Sequence, residues 1–438
     1  MTDWKSQAKN IWLVFSLLLV SIVLISSVFS ACARPATISS EAPQAFQTVQ
    51  PEDVGLSSAK LNDIDTVIQS NIDANKINGA VLLVARHGKI AYFKSFGYRD
   101  NEKKLPMEKD SIFRIQSMTK SLAAVSVAIL KDEGKLAFDD PVAKYIPSFK
   151  DVQVGEVTQD ASGKNVVITL VPPTTVMTVQ HLATHTSGLD AGAGQPKPGI
   201  TELYTQANLN NPALTNAEEA DKLAKLPLCE NPGPYYRYGT SYNVLGRVIE
   251  VASGMPLDKF FEERIYKPLG MKDSGFLVTR ENANRLVYLD PKSTFYIDVT
   301  DPNRKFLNAS NGTVSTAMDY ARFAQMLLNK GEYEGKQLVK PETVAYITSD
   351  RLGPLGNRND SAYVPGRGYG EGFDFYVRVD TSSADYPANL GEFRKGGITG
   401  TIYTVDPKED LIAVYMASTM LRLYEGQIQK MIYEAIIN

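Results

Sequence analysis

The chain has 438 residues, 43% hydrophobic and 22% charged, the balance of a globular protein long enough for two domains or one composite domain. A formal net charge of −3 leaves no basic footprint for nucleic acid, and no partner of that class is expected. The two cysteines, Cys32 and Cys229, exclude a disulfide framework and a zinc site built on thiolates.

At the N-terminus, Lys5 and Lys9 precede a charge-free apolar run from Ile11 to Phe29, followed by Ser30-Ala31-Cys32. A basic segment, an apolar segment and small residues ahead of a cleavage point describe a secretory signal. The small residues before Cys32 resemble the lipobox of bacterial lipoproteins, which implies lipidation of Cys32, although Phe29 stands where that motif usually has Leu. The run is also long enough for an uncleaved span, so residues 1–32 are either a lipoprotein-type signal peptide or a membrane anchor. Both readings leave the lysines on the cytoplasmic side and predict an exported, membrane-tethered body, on the periplasmic or cell-surface side.

Residues 33–50, rich in Ala, Pro, Ser, Thr and Gln, suit a flexible linker, and the folded body is expected over 51–438. Ser57 caps an expected helix whose Leu61, Ile64, Val67 and Ile68 form one stripe. Two apolar runs around Arg86-His87-Gly88-Lys89 read as a β-hairpin. A helix carrying Ser117 follows and closes at Gly134. From about 140 to 341 helices and loops dominate, with a strand signal in NVVITLV. Within this region SYNVLGRVIEVAS ends at Gly254, and TAMDYARFAQMLLNK opens on Thr316 and Asp319 as a capping box and ends at Gly331. Strands return in YGEGFDFYVRV, GITGTIYTVDP and LIAVYMAS, before a last helix in LRLYEGQIQKMIYEAII. The fold class is therefore α/β (α+β): a sheet built from both chain ends, with a mostly helical insertion.

Ser-x-x-Lys occurs three times, at Ser6/Lys9, Ser57/Lys60 and Ser117/Lys120. The first lies in the export segment and the second in a helix cap. The third opens a run, Leu122 to Leu130, that is apolar on all sides, as in a buried helix. Positions i and i+3 share a helix face, so the Ser117 hydroxyl and Lys120 amine can meet. Desolvation and the positive helix end both disfavour the ammonium, which would make Lys120 a usable base and Ser117 a nucleophile. The same helix end offers backbone N–H groups to an oxyanion. From this segment alone the alternative stays open that Lys120 reaches solvent and Ser117 merely caps.

The segment SIFRIQSMTKSLAAVSVAILKDEGKLAFDDPVAKYIP resembles the active-serine segment of the serine β-lactamase and penicillin-binding protein superfamily. The closest branch looks like class C β-lactamases and family VIII carboxylesterases. Three further segments agree in family order: HLATHTSGLD, YYRYGTSYNVLGRVIEVASGMPLDKFFEERIYKPLGMKDSGF and GTVSTAMDYARFAQMLLNKGEYEGKQL. The resemblance implies a β-lactamase/transpeptidase-like fold, with an antiparallel sheet flanked by helices.

It also implies that Tyr238, in Tyr238-Gly239-Thr240, shares proton transfer with Lys120, as a phenol that a nearby ammonium makes easier to ionise. Thr240 replaces the family Asn that helps hold an amide side chain, which weakens lactam and peptide readings more than small esters. Lys395-Gly396-Gly397 stands where β-lactamases carry Lys-Thr-Gly. By the resemblance, Lys395 would greet a carboxylate or assist the relay. The two glycines would let the strand approach a substrate, and Ile398 would supply a second oxyanion N–H. The implied activity is a serine hydrolase working through an acyl-enzyme, most simply a carboxylesterase on short acyl esters. A β-lactamase, a D-amino-acid peptidase or a slowly acylating penicillin-binding-type protein are the alternatives.

The expected partner is a small-molecule ester or amide, with the membrane reached through the N-terminal anchor. No cofactor or metal is expected: His181 and His185 have i, i+4 spacing but lack the Glu of HExxH. The sequons at Asn308 and Asn311 read as chance matches in an exported bacterial chain. No G-x-S-x-G elbow is present, since GLSSA at 55–59 lacks its last glycine.

Overall fold

The computed structural model describes residues 46–437 except 161–165, 191–195, 354, 356–362, 385 and 420–422. The export segment, Cys32 and most of the expected linker lie outside the described residues. Among those described, no helix is long and apolar enough to cross a membrane. The linker ends earlier than expected: Val49 N–H donates to the Ile90 carbonyl and Ile90 N–H to that of Gln47, both at 3.0 Å. These backbone bonds hold 47–49 against the body, where composition alone reads as tether.

Ser57 accepts a bond from Lys60 N–H and caps helix α1, Ser58–Asp73. Strands β1 (Gly79–Arg86) and β2 (Lys89–Asp100) form the expected hairpin. His87 and Gly88, at φ 55° and 69°, make the two-residue turn whose twist suits a tight hairpin. A short β3, Leu105–Pro106, closes that edge. The other five strands come from the C-terminal part: β4 (Tyr369–Glu371), β5 (Tyr376–Arg378), β6 (Phe393–Gly397), β7 (Thr401–Asp406) and β8 (Leu411–Ala417). Their order in one antiparallel sheet is β4-β5-β6-β7-β8-β1-β2-β3, so the two chain ends meet at β8 against β1.

Period-two alternation separates the two faces of this sheet. Val81, Leu83 and Ala85 of β1, with Ile412, Val414 and Met416 of β8, join the larger core. Ala80, Leu82 and Val84, with Leu411, Ala413 and Tyr415, face the smaller one, with Leu61, Ile64 and Ile68 of α1 and Ile428 and Ile432 near the C-terminus. The larger core holds helices α2 (Thr119–Asp132), α3 (Ser241–Ser253) and α4 (Ala317–Leu328).

Helix α3 keeps its expected bounds, with Gly254 at φ 72° as its C-cap. Helix α4 ends at Leu328, two residues short of the expected Lys330. Its capping box half-forms: Thr316 accepts from Asp319 N–H, but the Asp319 carboxylate is taken by Asp273 N–H at 2.7 Å and Ser274 Oγ at 3.0 Å. NVVITLV forms a separate hairpin, Val154–Gln159 with Val166–Val171.

Candidate active site

Ser117 sits in a 3₁₀ turn, Gln116–Met118, that runs directly into α2. The turn is held from three sides. Ile115 N–H donates to the Thr313 carbonyl at 3.1 Å, Tyr320 OH to the Met118 carbonyl at 2.8 Å, and Thr401 Oγ1 to the Ile115 carbonyl at 3.2 Å. Gln116 takes φ 49°, a left-handed conformation uncommon outside glycine, and its side chain is tied to the Phe295 carbonyl at 3.0 Å. Strand β6 passes so close that a Cβ on Gly397 would overlap Thr401 Oγ1 and the Ile115 carbonyl. A Cβ on Gly396 would meet its nearest atom at 3.4 Å, an ordinary contact. Of the two glycines, only Gly397 is demanded by close approach.

Lys120 Nζ lies 3.1 Å from Ser117 Oγ and donates to the Ser310 carbonyl at 2.8 Å. It does not reach solvent: Leu122 to Leu130 are buried around the helix, and Lys120 itself is 3% exposed. Burial pushes its pKa down to about 7, Asp374 and Glu371 opposing the shift and Lys395 adding to it. The amine can thus be neutral near pH 7.

Tyr238 OH donates to Ser117 Oγ at 3.0 Å, completing a three-residue contact. Its phenol departs from expectation. Burial, reinforced by the Asp374 carboxylate, raises its pKa well above the ordinary value, and this outweighs the lowering effect of the hydrogen bond with Ser117. The Tyr238 phenol therefore keeps its proton, and of the two groups touching Ser117 only the Lys120 amine can be neutral and accept one near pH 7.

Lys395 does not stand where it could greet a substrate carboxylate. Its side chain is wholly buried, forms an ion pair with Asp374, and stands over the rings of Tyr376 at 4.0 Å and Tyr238 at 4.8 Å. It neither meets solvent nor lines the cavity above Ser117. The reason is the acid opposite, which a strand-by-strand reading of YGEGFDFYVRV does not place. Asp374 Oδ1 also lies 3.1 Å from His185 Nε2. Burial pushes His185 down to about 4, so the neutral ring donates to Asp374. Glu371 completes the cluster, its pKa raised well above the usual range by burial. His185, Glu371 and Asp374 present ligand atoms within 4.8 Å of one another, and one of them, Asp374, is already paired with the Lys395 ammonium. His181 is occupied elsewhere, its Nδ1 accepting from Thr178 N–H at 3.2 Å.

The cavity above Ser117 has a volume of about 570 Å³. Gly396, Gly397 and Ile398 line one side, with Tyr238, Thr240 and Asn243 on another. The Thr240 hydroxyl is committed to the Asp190 carbonyl at 2.8 Å. Asn243, which sequence reasoning missed, accepts from Ser310 Oγ at 2.6 Å and donates to Asn210 Oδ1 at 3.0 Å, bracing the Lys120 contact. Its position one turn after Thr240 was the available signal. Cys229 is fully buried.

A profile of the Beta-lactamase family matches residues 64–430. Protein Rv1367c of Mycobacterium tuberculosis is 34% identical over 361 residues, covering 80% of this chain and 88% of that one. Esterase EstB of Burkholderia gladioli is 28% identical, covering 86% and 95%. Among solved structures, EstCE1, a hydrolase with promiscuous acyltransferase activity, superposes with a TM-score of 0.71 at 26% identity, covering 87% and 99%.

Proposed function

Since the chain belongs to the Beta-lactamase family and is a serine hydrolase, we propose that it is a carboxylesterase working through a Ser117–Lys120–Tyr238 acyl-enzyme. The observation that carries this reading is the contact of Ser117 Oγ with both Lys120 Nζ, at 3.1 Å, and Tyr238 OH, at 3.0 Å.

Neutral Lys120 takes the Ser117 proton as Oγ bonds to the acyl carbon. The Ser117 and Ile398 amides hold the oxyanion, by the family resemblance. Tyr238 passes a proton to the departing alkoxide and is resupplied from the Lys120 ammonium. The ester C–O bond breaks, leaving acyl-Ser117. Water then attacks, Lys120 takes its proton, and the carboxylic acid departs as the serine hydroxyl is restored. Two features support esters over lactams or peptides: Thr240 is tied to Asp190, and Lys395 is turned away from the cavity.

The test is hydrolysis of p-nitrophenyl butyrate by the purified full chain, beside a chromogenic cephalosporin and a Ser117→Ala control. Ester cleavage lost in the control is expected. Cleavage that survives Ser117→Ala removes the serine from its role. Faster turnover of the cephalosporin makes the protein a β-lactamase, and stoichiometric penicillin labelling without turnover makes it a binding protein. We also propose export and membrane tethering through residues 1–32, which the apolar run and Ser30-Ala31-Cys32 support; globomycin-sensitive processing tests lipidation of Cys32.

A further inference from the structure

We infer that the buried pair Asp374–Lys395 sets the substrate class: by withholding the β6 lysine from the cavity, it leaves a site that takes uncharged esters and discriminates against those with a carboxylate on the leaving group. This rests on the ester reading above.

Lys395 stands two residues before Gly397 in β6, on the same face of the strand, and Gly397 lines the cavity, so the strand could have presented its ammonium to a substrate. Instead the Lys395 and Asp374 side chains are both 0% exposed and paired, and the lysine Nζ stands over the Tyr376 and Tyr238 rings. Turning Lys395 outward would strand Asp374 as an unpaired buried charge beside Glu371 and His185, a cost that a contact in an open cavity would not return. Among the described lining residues Lys120 is the only basic side chain and none is acidic. The exposed lining carries three apolar side chains, Phe295, Val364 and Ile398, at 38%, 39% and 37% exposure, beside the uncharged Asn210 and Thr294. A substrate carboxylate entering there would lose water without gaining a fixed cation. Drawn to Lys120, it would favour the ammonium, the form that cannot accept the Ser117 proton.

The test compares 3-(butyryloxy)benzamide with 3-(butyryloxy)benzoate, which share an acyl group and differ in the charge of the leaving group. The wild-type full chain is expected to show kcat/KM at least twentyfold higher for the amide. In the Lys395→Met/Asp374→Asn double variant, which removes both charges together, that ratio is expected to stay within threefold of wild type even where both rates fall. Equal or faster cleavage of the benzoate overturns the inference. So does selective loss of benzoate cleavage in the double variant, which would make Lys395 a carboxylate clasp. A second arm needs no turnover: protection of Ser117 from a fluorophosphonate label by 3-carbamoylphenylboronic acid against 3-carboxyphenylboronic acid. Protection by the carbamoyl compound at tenfold lower concentration upholds the inference even if neither ester is cleaved, a result that defeats only the ester reading. Equal or better protection by the carboxy compound overturns the inference and leaves ester cleavage to be judged separately.

Discussion

Lys120 and Ser117 are three residues apart, straddle the junction of a 3₁₀ turn and an α-helix, and bring amine and hydroxyl to 3.1 Å inside a nearly solvent-free wall. The burial that makes the lysine costly to keep charged also makes it able to accept a proton at neutral pH.

The pH dependence of catalysis follows from that burial. With the Lys120 pKa pushed down to about 7, kcat/KM for a neutral ester should rise about tenfold per pH unit below that point and level off above it. A pH profile measured with p-nitrophenyl butyrate between pH 5 and 9 checks this, after correction for spontaneous hydrolysis. A flat profile across pH 6–8 would remove Lys120 as the base.

The same shift is linked to stability. Between about 7 and the ordinary value of 10.5, the unfolded chain holds a proton on Lys120 that the folded chain lacks. Stability from this group therefore rises with pH across that window and is lowest near pH 7, by on the order of 3–5 kcal/mol. Lys120→Met should abolish turnover while raising the thermal midpoint more at pH 7 than at pH 10.

Removing one oxygen isolates the relay. Tyr238→Phe keeps the ring packed against His185, whose centroid is 4.5 Å away, and against the Lys120 and Lys395 ammonium groups. We expect a fall of about 10²–10⁴-fold in kcat, little change in KM and an unchanged fold. Steady-state kinetics with near-UV circular dichroism measure all three.

Neighbouring glycines should separate cleanly. Gly397→Ala forces β6 against the serine turn and should lower both the thermal midpoint and kcat, whereas Gly396→Ala should fold like wild type. Equal effects of the two substitutions would show that β6 does not set the Ser117 turn.

Breaking the buried ion pair on one side only is a test of structure. Asp374→Leu leaves the Lys395 ammonium buried without its partner and should cost about 3–5 kcal/mol. Urea denaturation reads this directly, and a loss below 1 kcal/mol would mean that Lys395 has found water or another acid.

Local signals account for what was legible beforehand. Alternation in GAVLLVAR and LIAVYMAS, the Ser57 cap, the Gly254 stop and the apolar run after Ser117 are short-range features, and each produces its element wherever it lies in the chain. The Ser117–Lys120 pair was readable for the same reason, because one helical turn defines it. Other properties depend on groups far apart in sequence. Tyr238 reaches Ser117 across 121 residues, Ser310 supplies the Lys120 acceptor across 190, and Asp374 captures Lys395 across a sheet strand. Charge state and accessibility are set by these neighbours and by burial, neither of which has a local period. Sequence alone therefore determined the pairing of Ser117 with Lys120 on one helical turn; the packed fold decided that Tyr238 stays protonated and that Lys395 is turned inward, away from the cavity.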